Sequence, residues 1–345
     1  MDLPDISKRF MEERNRIVTL HSLSARNSVG ILGAVAVLFA GLNNSANAAN
    51  ELHSGRFDSC CRDTCFDPCE DDDEEELICS FGPCPCKPRG TLFQWSYGTS
   101  FSGGPNRDEP LVTDRPDFTE AASTVGLGVA QIEMGYTYTF DNDGTTATKS
   151  HGYPETLLRY GILAEWLELR IFWNYAIEEV GQTRMSGAND LYLGFKIGLT
   201  PQEGILPEMA LIPQMNVPTG ARKFTANEVL PGANLNYAWE INDTWATGGS
   251  TQFNRVIDDI TLNSYTEWAQ SWTVVYAFTD CFSAYNEWYA FFPHSADTAR
   301  PEHYYNGGFA VLLSNDVQWD IRAGLGLNDA ADDYFVGTGL SIRYR

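Results

Sequence analysis

Leu167-Glu168-Leu169-Arg170-Ile171-Phe172-Trp173-Asn174-Tyr175-Ala176-Ile177 is the stretch whose pattern decides the fold. Leu167, Leu169, Ile171, Trp173, Tyr175 and Ile177 are apolar, whereas Glu168, Arg170, Asn174 and Ala176 occupy the opposite face. A period of two belongs to a strand, because successive side chains of an extended chain point to opposite sides. The same alternation recurs on both flanks. Ile132, Met134, Tyr136, Tyr138 and Phe140 oppose Gln131, Glu133, Gly135, Thr137 and Thr139, and Leu191, Leu193, Phe195, Ile197 and Leu199 oppose Tyr192, Gly194, Lys196 and Gly198. It continues to the end, where Tyr334, Val336, Leu340, Ile342 and Tyr344 oppose Gly337, Gly339, Ser341 and Arg343. Pro213, inside the segment from Met209 to Val217, removes a ladder donor and predicts a local bulge.

Twelve such segments fill residues 128–345. An even number of strands of about 9 to 11 residues, apolar on one face and small or polar on the other, is the signature of a transmembrane β-barrel. The links alternate in length, as short turns and long loops do in bacterial barrels. Short ones fall at Ala164-Glu165, Asn242-Asp243, Asp280 and Asn315, with a moderate one over 201–205. Longer ones are expected over 141–154, 178–188, 218–232, 256–261, 293–302 and 328–333. Trp166, Trp239, Trp245 and Trp319 sit near the short-turn end, where an aromatic girdle belongs. A soluble, exported sandwich or ligand-binding barrel also alternates, but its outer face would carry more Lys and Glu than the Gly, Ser, Thr and Asn found here.

The rest of the chain places this barrel in an envelope. Residues 1–48 carry Lys8, Arg9, Arg14, Arg16 and Arg26, then the apolar run Val29 to Leu42, then Ala46-Asn47-Ala48, the order of a cleaved secretory signal peptide. An uncleaved anchor is the alternative. Seven of the eight cysteines, Cys60, Cys61, Cys65, Cys69, Cys79, Cys84 and Cys86, crowd into residues 49–90, and Cys281 stands alone. Such density favours disulfides in an oxidising space, and the short-turn position of Cys281 predicts a bridge from it to one of the seven. The spacing does not follow a zinc pattern, and neither a metal nor a cofactor is assigned. The run Glu70 to Glu76 reads as a solvated acidic stretch. With 23 Lys+Arg against 46 Asp+Glu, a net charge of −23 excludes nucleic acid as a partner.

Residues 91–127 lead from this tail into the first strand and contain Thr113-Asp114-Arg115-Pro116-Asp117-Phe118-Thr119-Glu120. Together with the strand from Gln131 to Tyr138, this motif resembles the outer-membrane transporter family grouped under the meta-pathway of phenol degradation, including forms typical of planctomycete bacteria. The resemblance covers about residues 111–345. It implies an outer-membrane barrel in contact with lipid that passes small hydrophobic or aromatic solutes. Two features depart from that pattern: the acidic seven-cysteine tail lies outside the family core, and Arg345 ends the chain, leaving Tyr344 as the aromatic assembly signal.

Closing the last strand on the first gathers Glu133, Arg159, Glu168, Arg170, Lys196, Asp320, Arg322 and Arg343 into one lumen sector near the short turns. Buried charges must be paired or wet. This sector is therefore expected to receive Asp114, Arg115, Asp117 and Glu120, with Pro116 and Phe118 between them, as a plug-like segment; a water-filled lumen with charges paired across strands is the alternative. Glu240, Glu267 and Glu287 form an acidic wall opposite, which favours cationic or neutral solutes. His151, His294 and His303 map to loops or loop edges without a partnered serine or carboxylate, so no catalytic residue is assigned. A structural or anchoring barrel that transports nothing is the competing class, favoured by the acidic tail.

Overall fold

The computed structural model describes residues 109–142, 144 and 146–345. The expected signal peptide, the cysteine segment and residues 91–108 therefore lie outside the described residues. Fourteen strand segments follow one another, every neighbouring pair antiparallel: β1 (Ala130–Asn142), β2 (Ala147–Gly161), β3 (Leu167–Trp173), β4 (Tyr175–Val180), β5 (Thr183–Ala188), β6 (Leu191–Thr200), β7 (Glu208–Val217), β8 (Leu230–Glu240), β9 (Trp245–Ile257), β10 (Ser264–Thr279), β11 (Phe282–His294), β12 (Glu302–Ser314), β13 (Val317–Gly326) and β14 (Tyr334–Tyr344). β2 pairs with both β3 and β4, through Thr156↔Trp173 and Gly152↔Ala176, so these two are one barrel strand interrupted at Asn174. β5 and β6 make up its neighbour in the same way, through Tyr175↔Ala188 and Phe172↔Tyr192. Twelve barrel strands result, and β1 pairs with β14 from Ala130↔Tyr344 to Phe140↔Tyr334, closing the ring.

Closure is what the membrane demands. Lipid offers no hydrogen-bond partner, so a sheet survives there only without an edge. The side chains are arranged accordingly, with the usual inside and outside exchanged. Phe253, Trp245, Trp272 and Ile321 are exposed at 55, 44, 44 and 43%, whereas Glu133, Arg159, Glu168, Arg170, Lys196 and Asp320 are 0% exposed. Most apolar residues of the strands thus face outward, where lipid replaces water, and most polar residues face the lumen.

Two stretches expected as loops are strand instead. Residues 178–188 form most of the β4–β5 hairpin, with Glu178↔Met185 and Glu179↔Arg184 paired, and most of 141–154 belongs to the β1–β2 hairpin, with Asp141↔Thr148 and Tyr138↔His151 paired. Where a hairpin rises beyond the apolar belt, both of its faces meet polar surroundings. The period-two contrast then vanishes although the ladder continues. The bulge expected at Pro213 is also absent: Gly194↔Gln214 and Ile197↔Leu211 keep one register on either side of it, and the irregularity lies at Gly198/Thr200.

Polar side chains finish the turns. Asn242 Oδ1 accepts from the N–H groups of Thr244 and Trp245, and Thr279 Oγ1 accepts from those of Cys281 and Phe282. At the long-loop end Asp258 accepts from the N–H groups of Ile260 and Thr261 in its own loop and from Thr298 N and Oγ1 in the β11–β12 loop, joining the two.

The outward face gives a direct test. Ile321→Arg sets a charge on the lipid side of β13 and is expected to destabilise the barrel by about 2–4 kcal/mol near the membrane midplane, read as a shift in the urea unfolding midpoint in lipid vesicles.

Candidate functional site

Residues 109–129 contain no strand, yet Leu111, Asp114, Thr119, Ala122, Ser123 and Val125 are buried. The segment is anchored at both ends beside the short turns: Leu111 N–H donates to Asn315 O at 2.8 Å, and Gly128 N–H donates to Gly161 O at 2.9 Å. Between those anchors the chain folds into the lumen and back. A Cβ on Gly161 would collide with Gly126 O, so the chain leaves the lumen across a strand position that only glycine can occupy.

An irregular segment has no ladder of its own, so its backbone must find partners elsewhere. Lumen side chains provide them. Glu133 accepts from Asp114 N–H at 3.0 and 3.1 Å, Glu168 from Val125 N–H at 2.9 Å, and Glu287 from the N–H groups of Phe118 and Thr119 at 2.7 Å each. The carbonyls are met by donors: Arg159 reaches Val112 O and Ser123 O, Lys196 reaches Ala121 O, and Arg322 reaches Pro116 O.

Asp114 is the centre of the arrangement. Its carboxylate accepts from Arg170 Nη1 at 2.5 Å, Lys196 Nζ at 2.9 Å and Ala121 N–H at 2.9 Å, with Arg159 Nε at 3.5 Å. Burial opposes its ionisation, but Arg159, Arg170 and Lys196 outweigh burial and hold the carboxyl far below the ordinary range. Glu168 bridges Arg159 and Arg170 at 2.8 and 3.0 Å, and Glu120 takes the other end of the Arg170 guanidinium at 2.6 Å. Three buried cations therefore face the carboxylates of Asp114, Glu120, Glu133 and Glu168.

Arg115 turns to the adjoining wall of β13, β14, β1 and β2, where Asp320 accepts from its Nε and Nη2 and Glu155 from its Nη1, all at 3.3 Å. Gly135 and Gly339, paired across the β1–β14 seam, make the floor under this guanidinium; a Cβ at either would overlap it. Asp117 has a different environment. Burial and the neighbouring charge of Glu287 push its carboxyl well above the ordinary range.

Not every charged residue singled out from the strand pattern joins this cluster. Arg343 is buried at the short-turn end, bonded to Asp316 at 2.8 Å and to the carbonyls of Glu109 and Asn315. Glu240 is exposed at the end of β8, where its N–H donates to Gln202. Glu267 lies toward the long loops beside Tyr265, whose hydroxyl donates to it at 3.3 Å, while Glu287 binds the entering segment. The three glutamates thus stand at three levels of the barrel. Cys281 is half-buried in the β10–β11 turn, and its seven expected partners lie outside the described residues.

A family described as "Putative MetA-pathway of phenol degradation" matches residues 113–344, from the first residue of the entering motif to the last residue of β14. The chain belongs to that family. An outer membrane channel from Pseudomonas putida F1 is similar in structure, with a TM-score of 0.52, 12% identity, and 67% of this chain and 99% of that one covered. At that identity the likeness is one of fold, and the fold is that of an outer-membrane β-barrel. Weaker likenesses are to the transport unit of the autotransporter AIDA-I from Escherichia coli, with a TM-score of 0.45, 12% identity and 67 and 93% of the two chains covered, and to the NanC porin, with 0.40, 10%, 62 and 98%. No curated protein matches the chain.

Within this family barrel, the strand pattern did not single out a set of inward-facing aromatics. Tyr285, Tyr289, Tyr304 and Phe335 are buried on the lumen side and, with Phe291, face the entering segment at β11, β12 and β14. At Trp288-Tyr289-Ala290-Phe291-Phe292 apolar side chains occupy both faces, which erases the alternation; the cross-strand pairing Glu287↔Asn306 would have revealed which of them point inward.

Asp114→Ala leaves Arg170 and Lys196 without their shared carboxylate. Removing one partner of a buried ion pair costs about 3–5 kcal/mol, and a loss of that size is expected in equilibrium urea unfolding of the refolded barrel.

Proposed function

We propose that this outer-membrane barrel is a channel for small solutes, hydrophobic or aromatic ones among them, and that residues 111–127 act as its plug. The observation that carries this reading is the occupation of the lumen by the chain's own segment, held by side chains instead of by a ladder. A purely structural barrel of twelve strands could fill its interior with packed side chains and would have no use for a separable filling. Here the filling enters and leaves at the same end, so it can move without breaking any strand pairing. That end is taken as periplasmic, because short turns lie there in bacterial barrels, which also puts the N-terminal tail on the periplasmic side.

The other mouth is acidic. Asp332, in the β13–β14 loop, has its carboxyl pushed up to about 6 by burial and by the charges of Asp141, Glu302 and Asp333. Together with Glu267 these acids disfavour anions by simple field effects, leaving cations and neutral molecules as solutes. The side chains proposed to hold the plug are Glu133, Arg159, Glu168, Arg170, Lys196, Glu287, Asp320 and Arg322.

Single-channel recording in planar bilayers tests this, comparing the mature protein with a version lacking residues 111–127. Small, cation-biased steps that enlarge several-fold on deletion are expected. Two folded but electrically silent proteins, with no entry of small aromatic solutes into vesicles, would instead favour an anchoring barrel.

A further inference from the structure

Phe118 is the only aromatic side chain of the motif from Thr113 to Glu120, and its surroundings differ from those of its neighbours in the plug. Asp114, Arg115 and Glu120 meet charges. Phe118 instead lies flat against Tyr289, with ring centroids 4.6 Å apart and planes 9° apart, and meets Phe291 edge-on at 5.4 Å and 90°. Tyr289 in turn stacks on Tyr304 at 4.9 Å and 15°, so three near-parallel rings follow one another. Phe291 closes the stack from the side, at 81° to Tyr289 and 80° to Tyr304, and Phe335 meets Tyr304 at 60°.

The wall of this slot belongs to β11, β12 and β14, all rigid barrel strands, whereas its occupant belongs to a segment without secondary structure. Tyr289, Tyr304 and Phe335 are 8, 5 and 7% exposed, so a ring that leaves the slot uncovers a prepared apolar surface. Beside Phe118 the plug is tied to this wall through Glu287, which binds the N–H groups of Phe118 and Thr119 and the Thr119 hydroxyl. The stacked rings present their π faces, and the carboxylates beside them are already engaged: Glu302 accepts from the Tyr304 hydroxyl at 2.8 Å, and Glu287 from the N–H groups of the plug. Arg322 sits over the Phe335 ring at 5.5 Å and donates to Pro116 O and Thr137.

We propose that this slot is a binding site for one neutral aromatic ring, and that Phe118 is its resident occupant, displaced when a ring-bearing solute binds. The proposal deepens the channel reading and rests on it for its physiological solute: the molecule that crosses would also release the plug by taking the place of Phe118 against Tyr289. Face-to-face packing supplies a preference for flat rings over saturated ones of equal size. A tethered ring competes with a free one as any intramolecular ligand does, at an effective concentration set by its tether. Aromatic affinity of the unaltered protein is therefore reduced by the fraction of time Phe118 spends in the slot.

Isothermal titration calorimetry on the full chain in detergent, with p-cresol and with methylcyclohexane as probes, tests the idea. Phe118→Ala empties the slot and is expected to bind p-cresol about tenfold more tightly than the unaltered protein. The gain should disappear in Phe118→Ala combined with Tyr289→Ala, and methylcyclohexane should gain much less. Phe118→Leu, which keeps bulk but loses the ring, is expected to gain severalfold and provides the comparison should Phe118→Ala not refold. Equal p-cresol affinity with and without Phe118, or an equal gain for methylcyclohexane, would overturn the proposal. Uptake into vesicles separates the two readings: a gain in binding without passage of p-cresol leaves the slot and removes the channel, whereas passage without a gain leaves the channel and removes the slot.

Discussion

The constraint on which the molecule depends is the pairing of charge inside a closed sheet. Arg159, Arg170 and Lys196 project from neighbouring barrel strands and are 0% exposed, and the strand carboxylates paired with these three cations are two, Glu133 and Glu168. Unpaired, such groups would each cost several kcal/mol through lost solvation. Asp114 resolves this by bringing a carboxylate between them from outside the sheet. The entering segment thus neutralises the lumen, and the lumen in turn satisfies the segment's backbone. Neither is complete by itself.

That reciprocity explains how an irregular stretch comes to be buried. Coil is normally confined to surfaces because its N–H and C=O groups need water. Here Glu133, Glu168 and Glu287 accept from four N–H groups of the segment and Glu165 from a fifth, and Arg159, Lys196 and Arg322 donate to its carbonyls. Glycines finish the fit where backbone or guanidinium comes too close for a Cβ, at Gly161, Gly135 and Gly339. Apart from the backbone bonds of Leu111 and Gly128 at its two ends, these contacts are made by side chains of the wall, and the filling replaces no strand-to-strand hydrogen bond of the barrel.

The barrel was legible wherever one face meets lipid. From Leu167 to Ile171 the alternation is unbroken because Leu167, Leu169 and Ile171 face hydrocarbon while Glu168 and Arg170 face the lumen. It failed at Glu178, Glu179 and Arg184, where the hairpin continues with polar residues on both sides. It failed differently at Tyr289 and Phe291, which are aromatic yet point inward. Side-by-side strand order was enough to bring Glu133, Arg159, Glu168, Arg170 and Lys196 into one neighbourhood, since neighbours in a sheet are fixed by sequence order in a simple up-and-down barrel. Strand order does not set height, and for that reason Glu240, Glu267 and Glu287 stand at different levels and Arg343 pairs with Asp316 near the turns. The aromatic seat of Phe118 needed both the register of β11 on β12 and the path of a coil, neither of which a period carries.

The central claim is that residues 111–126 are held inside the barrel by its side chains. Amide hydrogen exchange of the full chain in lipid nanodiscs tests it most directly, at the N–H groups of Asp114, Phe118, Thr119, Ala121 and Val125. These five, bonded to carboxylates at 2.7–3.1 Å, are expected to exchange orders of magnitude more slowly than free chain, approaching the rates of β1 and β2. Exchange at the rate of an unstructured peptide, with the strands still protected, would contradict the account.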